Sequence, residues 1–229
     1  MQKKSLFFGR FPQGEKGELQ PIEWFVLKEE NENKLLISKY ALLCRAFHKG
    51  YNSCWETCDL RQYLNSEFYD IAFDQSEKER IVKAKLKSYI FNFNPISNIF
   101  DNYQEPAQEE LYNTFLQFIE MAENPTCETE DRVFLLSADE VYEYFYDSAD
   151  EEKCRQTQYA RSLDNVDASY SSADYCSWWL RSGFGSSVSA PNATHDNKLR
   201  EVGTYTDNWH DEHPIFYGVC VRPAIIIKD

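Results

Sequence analysis

The chain has 229 residues, a net charge of −14 and an isoelectric point of about 4.8. That length suits one large domain or two small ones, and the acidity disfavours phosphate backbones and anionic lipid, so neither nucleic acid nor a membrane is an expected partner. Only Leu6-Phe7-Phe8 is apolar after the first lysines, so no signal peptide or membrane span is legible and a cytoplasmic protein is expected; a secreted chain trimmed of its leader reads the same.

From the amino terminus, Ile22, Trp24 and Val26 alternate with Glu23, Phe25 and Leu27, and Glu29 to Asn33 supplies turn residues before Leu35-Leu36-Ile37. This pattern predicts a β-hairpin covered at least partly on both faces. Thr57 is placed to cap a helix in which Leu60, Leu64, Phe68 and Ile71 form one apolar stripe. Asp74 and Glu77 have the spacing of a second N-cap, leading into Ile81 and Val82.

Residues 88–127 break the pattern. Tyr89 to Phe100 is aromatic and Asn-rich without a period, and Leu111, Phe115, Phe118, Ile119 and Ala122 then give a helical stripe. The segment reads as an inserted helix with a long lead-in loop, packed on the flank of the domain; the alternative is a partner-binding or oligomerisation helix, and the oligomeric state is left open. Val133 to Leu136 reads as a strand, and Ser137 with Glu140 as a capping box opening a helix with Val141, Tyr144 and Phe145 on one side. The four carboxylates between Asp147 and Glu152 read as a solvated loop, without the alternating oxygens and glycine turn of a calcium site.

The seven cysteines are odd in number and lack a regular framework, which fits a reducing compartment better than a disulfide-stapled domain. Cys54 and Cys58 have a metal-like spacing, but no second pair completes a four-ligand zinc site, and partly buried thiols are the simpler reading. No GxSxG, P-loop or dinucleotide-binding glycine motif occurs, so no catalytic residue and no cofactor is assigned.

The densest apolar blocks are Cys176-Ser177-Trp178-Trp179-Leu180-Arg181-Ser182 and Gly218-Val219-Cys220-Val221-Arg222-Pro223-Ala224-Ile225. Successive strand residues face opposite ways, so Trp178 and Trp179 cannot enter one core together: one anchors the fold and the other lies under a second layer or under the loops. Val219 to Ile227 reads as a β-branched run buried on both faces, with Pro223 requiring an edge position or a bulge. Arg181 and Arg222 are read as structural cations paired with carboxylates or carbonyls.

Between these blocks, residues 183–217 are rich in Ser, Asn, Asp, His, Thr and Tyr, and hold three of the four histidines. Rigid strands bracketing a wet, varied loop region form a ligand-display surface, and the composition resembles a paratope. The expected contacts are Tyr205, Asn208, Trp209 and His210, with Asn192, His195 and Asn197 beside them. His210 and His213 with Asp207 or His195 form the one histidine-rich metal arrangement considered, but a loop does not fix such spacings and no metal ligand is assigned.

WWLRS followed by a polar stretch and GVxVRPAI resembles the C-terminal signature of a bacterial domain family of unknown function, whose members read WWLRSPG and then GVRPAL. The resemblance extends to Phe8-Gly9-Arg10-Phe11-Pro12-Gln13, Ile22-Glu23-Trp24, Leu36 to Leu42, Trp55 to Arg61, Phe134 to Ser137 and Thr157 to Ala160, and covers almost everything outside 88–127. The chain departs from that pattern at Gly183, where proline is usual, and at Cys220, inserted in GVRPA. More distantly the architecture resembles the C-type-lectin-like fold of formylglycine-generating enzymes and of the variable proteins of diversity-generating retroelements. Those systems mutate adenines, favouring codons such as those for Asn, Asp, His, Ser and Tyr, and residues 192–213 have a compatible composition.

These resemblances imply one α+β domain over 1–229, C-type-lectin-like in its C-terminal half, with an N-terminal hairpin and helices. The function expected is non-catalytic binding of a protein or other macromolecular ligand through 183–217. A relative of formylglycine-generating oxidases is the alternative, recognised by a reactive, metal-loaded cysteine, and a structural or assembly subunit is the third.

Overall fold

The computed structural model describes residues 3–48, 54–89, 126–145, 154–163, 176–182, 187–188, 199–200 and 219–229. Strand β1 (Ser5–Pro12) pairs antiparallel with β2 (Leu19–Glu30), which turns into β3 (Asn33–Ser38). Asn31 and Glu32 at that turn have φ of 48° and 64°, the left-handed pair that a tight hairpin with right-twisted strands requires. The predicted hairpin is therefore present, and Ile22, Trp24, Leu36 and Ile37 are its fully buried residues. The β1–β2 register shifts between Phe7 and Arg10. Gly9 sits there at φ +71°, where a Cβ would lie 2.7 Å from the Ala72 carbonyl oxygen, so only glycine lets this strand approach the helix behind it.

After β4 (Leu43–Cys44), a helix begins as α1 (Asp59–Tyr63), passes through a π-helical turn (Leu64–Phe68) and ends as α2 (Tyr69–Ala72). Two expectations are corrected here. The cap is Cys58, whose sulfur accepts the Arg61 N–H, rather than Thr57. Leu60, Leu64 and Phe68 are buried as predicted, but the fourth buried position is Ala72, and Ile71 is 54% exposed. A π-turn widens the helix to more than four residues per turn, so a strict i+4 spacing stays on one face and i+3 rotates off it.

Helix α3 (Gln75–Arg80) carries the predicted capping box: Asp74 accepts the Glu77 N–H while Glu77 accepts the Asp74 N–H. The Glu77 backbone bond and the Ser76 hydroxyl hold the Asp74 carboxyl below its ordinary value of 3.8. A depressed acid stabilises the fold above that ordinary value, and this contribution is lost as pH falls through the folded value. Asp74→Asn keeps a capping acceptor but cannot titrate. Its melting temperature should therefore fall less steeply than that of the wild type between about pH 4 and pH 2; parallel curves would show that the cap does not sense acid.

Strands β5 (Ile81–Val82), β6 (Ala84–Tyr89), β7 (Thr126–Asp131) and β8 (Val133–Phe134) follow, and β6 pairs with β7 from Ala84↔Asp131 to Tyr89↔Thr126. The insert expected at 88–127 thus has its first and last residues inside this two-stranded ladder; the helix expected within it lies outside the described residues. Helix α4 (Ala138–Phe145) has the predicted Ser137–Glu140 box and buries Val141 and Phe145. Helix α5 (Gln158–Ser162) is capped by the Thr157 hydroxyl, which accepts the Ala160 N–H.

The chain ends in β9 (Ser177–Trp179), β10 (Ser187–Val188), β11 (Leu199–Arg200), β12 (Val219–Val221) and β13 (Ala224–Lys228). One sheet runs β1-β2-β3-β13-β5, with β8 also on β13, and a second runs β11-β10-β9-β12-β4. The fold is mixed α+β and rich in antiparallel strands.

The single run expected from Val219 to Ile227 is therefore two strands in two sheets. Pro223 is neither an edge residue nor a bulge but the point where the chain crosses between them, its carbonyl accepting the Ser38 N–H. Lacking an N–H, proline ends the first ladder at no cost in backbone bonds. One cluster of buried side chains, from Phe8 to Ile227, packs against both sheets. Among the described residues no helix is long and apolar enough to cross a membrane.

Candidate functional site

The residues expected to contact ligand, Asn192, His195, Asn197, Tyr205, Asn208, Trp209 and His210, lie outside the described residues, as do Asp207 and His213. The frame that carries them is described. Strands β9 and β12 pair in parallel, Val219 with Ser177 and Cys220 with Trp178, so the chain leaves and re-enters the 183–217 region on neighbouring strands. Within that region β10 pairs with β9 and β11 pairs with β10, extending the sheet toward one edge.

Successive residues of β9, the two tryptophans point to opposite faces of the strand, yet both belong to one buried cluster, which corrects the expectation that they could not enter one core. Trp178 is fully buried, and the Arg222 guanidinium lies 5.0 Å from the centre of its ring. Trp179, 1% exposed, packs on Phe47 at 5.6 Å between ring centres and donates its indole N–H to the Arg45 carbonyl at 2.8 Å.

Each end of the region is held by one buried arginine. Arg181, at the entry, donates to the Leu135 carbonyl at 2.9 Å and makes a two-pronged contact with the Glu140 carboxylate, its Nη2 lying 2.8 Å from Oε1. Arg222, at the exit, is completely buried; its Nε donates to the Ser38 carbonyl at 2.8 Å, and its guanidinium also lies 5.2 Å from the Phe145 ring centre. Contacts of this kind orient a rigid, weakly hydrated cation inside a core.

Below this frame sit four of the cysteines. Cys44 and Cys220 face each other across β4 and β12 and are joined as a disulfide, and the Gln156 side-chain amide points at both sulfurs. The number and spacing of the cysteines gave no sign of this pair, which the fold brings together from positions 176 residues apart. Cys154 and Cys176 are free thiols joined through their backbones in an isolated antiparallel β-bridge, with the Cys176 N–H on the Cys154 carbonyl at 2.8 Å. Burial pushes both thiols up. At Cys154 the hydrogen bond from Cys176 and the Arg222 charge outweigh burial and hold the thiol below its ordinary value; Cys176 is raised well above it. Both residues are 1% exposed, so the pair offers no open face to a substrate.

A third cysteine group lies elsewhere. Cys54, Glu56 and Cys127 bring two sulfurs and a carboxylate oxygen within 4.8 Å of one another. Cys54 and Cys58 have a metal-like spacing, and the Cys58 N–H donates to the Cys54 carbonyl at 3.1 Å, but their sulfurs serve different neighbours. Cys58 is spent on the helix cap, donating to the Trp55 carbonyl and accepting from Arg61, and burial pushes its thiol up to about 12. Cys54 instead faces Cys127, whose thiol is pushed up by burial and by the neighbouring Cys54.

The scaffold of this group is Asp131. Its carboxylate accepts the Trp55 indole N–H at 2.9 Å, the Thr129 hydroxyl at 2.8 Å and the Arg61 Nε at 2.7 Å, tying the 54–63 segment to β7. Sequence reasoning singled out neither Asp131 nor Cys127. Their only signal is the alternation of Cys127, Thr129 and Asp131 with Glu128 and Glu130, which places the first three on one face.

Residues 31–229 match the family model described as "Domain of unknown function (DUF6273)". No curated protein and no solved structure matches the chain.

Proposed function

The chain belongs to the DUF6273 family, a domain of unknown function, and on that premise we propose that it is a non-catalytic binding module presenting residues 183–217 to a protein or other macromolecular ligand. The observation that carries this reading is the frame. The region begins and ends on adjacent parallel strands, with buried Arg181 and Arg222 and the two buried tryptophans holding its roots. Roots fixed in this way give a recognition surface a defined place on the fold.

The finer architecture we propose is C-type-lectin-like. Two features support it: the N-terminal hairpin and the C-terminal strand β13 share one sheet, and the long polar region is set between two strands of the other. On the same reading the polar composition of 192–213 reflects diversification as in retroelement variable proteins. Sibling chains would then differ at Asn192, His195, Asn197, Tyr205, Asn208, Trp209 and His210 on a constant frame, and differences scattered over the sheets would count against it.

The binding surface is tested by replacing Tyr205, Asn208, Trp209 and His210 together by alanine. Substitutions on an exposed surface cost roughly 0.5 kcal/mol or less each, so the melting temperature should stay within a few degrees of wild type. Cross-linking in the native cell extract should then capture a partner with the wild-type chain and lose it with the variant. A collapse of the fold, or equal capture by both chains, would remove this face as the binding surface.

A further inference from the structure

We propose that Cys54, Glu56 and Cys127 form a metal site that takes one zinc ion, holding it by two thiolates and one carboxylate oxygen. The binding reading for 183–217 neither requires nor predicts it. A tetrahedral zinc with sulfur at about 2.3 Å and oxygen at about 2.1 Å sets its donors roughly 3.6–3.8 Å apart. The three donor atoms already lie within 4.8 Å of one another, so side-chain rotations of an ångström or less bring them to that geometry.

The donor set decides the class of metal. Thiolates select zinc and other soft or borderline ions over calcium and magnesium, and the carboxylate suits zinc among those. Two thiolates alone would equally suit a disulfide, but a disulfide makes no use of a convergent carboxylate. Glu56 is exposed and Cys54 half-buried, while Cys127 is buried. The site is therefore open on one side, with a place for water as the fourth ligand.

Its surroundings are those of a held ligand set. The Thr57 hydroxyl lies 3.6 Å from the Cys54 sulfur. The Glu56 carbonyl accepts from Arg61 at 2.8 Å. Outer contacts of this kind fix ligand orientation and charge. The location also has a consequence. Cys127 lies in β7, paired with Ser88 of β6 at the foot of the 90–125 segment, and Cys54 precedes the long helix. A metal there fastens the root of that segment to the main core.

The test uses the full chain, reduced, stripped with a chelator and titrated with zinc alone against a chromophoric competitor. One equivalent should bind, and cobalt in its place should give a thiolate-to-metal charge-transfer band. Cys54→Ser and Cys127→Ser should each cut the band to about half and weaken zinc binding by about 100-fold, and Glu56→Gln should weaken it by about 10-fold. Glu56 is exposed, so its variant reports even if the cysteine variants fold poorly. Cys176→Ser, a buried cysteine of the other group, should leave the stoichiometry unchanged. Absence of zinc binding to the reduced wild-type chain overturns the proposal. So does one equivalent that survives Cys54→Ser with Glu56→Gln, or a Cys54–Cys127 disulfide that re-forms while the reduced thiols ignore zinc.

Discussion

Glu140→Ala destabilises the protein by about 3–5 kcal/mol, the cost of leaving one member of a buried ion pair without its partner. The Arg181 side chain is 4% exposed and that of Glu140 22%, so removing the carboxylate leaves the guanidinium in the core without its counter-charge. The same carboxylate closes the capping box of α4 by accepting the Ser137 N–H at 2.9 Å, and both functions are lost together. For a chain of this length 1 kcal/mol corresponds to about 2–4 °C, so the melting temperature should fall by roughly 6–20 °C. Two further variants divide the loss. Ser137→Ala removes only a cap acceptor, at about 1 kcal/mol, and Glu140→Gln keeps acceptors for both partners while deleting the charge, with a loss between the two. Denaturant melts in which Glu140→Ala costs less than about 1 kcal/mol would mean that Arg181 is satisfied without it. The entry to the 183–217 region would then be held by something other than this ion pair.

Locally encoded structure was legible in the sequence. The β2–β3 hairpin follows from alternation plus a turn, and both capping boxes follow from residues three apart. Structure that depends on distant partners was not. The run from Val219 to Ile227 looks continuous because every residue in it is apolar or β-branched except Arg222 and Pro223. What divides it is that β12 pairs with β9 and β4 whereas β13 pairs with β3, β5 and β8. Ile71 was misplaced because a π-turn leaves no mark in the hydrophobic pattern until its rotation is known. Its signal, in hindsight, is that Leu60, Leu64, Phe68 and Ala72 are spaced by four throughout.

The same distinction governs the sites. Trp178, Trp179, Arg181 and Arg222 are conspicuous as large or charged residues in apolar blocks, and the structure buries all four. Nothing local, by contrast, pairs Cys44 with Cys220 or Cys54 with Cys127, because the fold alone supplies those partners. The spacing of Cys54 and Cys58 says nothing of Cys127, which the fold sets beside Cys54. A helix cap can consume a thiol as readily as a metal can, and the sequence does not say which.

Asp131→Ala should be the most informative single change in the N-terminal half. Asp131 is 2% exposed, and all three of its partners are donors: the Trp55 indole, the Thr129 hydroxyl and Arg61. An ionised carboxylate is acceptor-only and suits them all. Alanine leaves a fully buried indole N–H without an acceptor and deprives Arg61 of its counter-charge, at an expected cost of about 3–5 kcal/mol. Asparagine is a partial rescue: its one acceptor oxygen can serve the Trp55 and Thr129 donors, which share Oδ2, while its NH2 is turned toward Arg61, so it should restore part of the lost stability. The change also reaches the metal site, because Asp131 is what holds the Cys54–Glu56 turn against the strand bearing Cys127. Zinc affinity should therefore fall by about 10-fold or more even though no ligand is touched, while Asp74→Asn, remote from β7, leaves it unchanged. If Asp131→Ala loses stability but binds zinc as wild type does, the turn and the strand are held together by something other than this carboxylate. If stability is untouched as well, the buried network around Trp55 has no energetic weight, and the geometry argued for both the fold and the metal site fails with it.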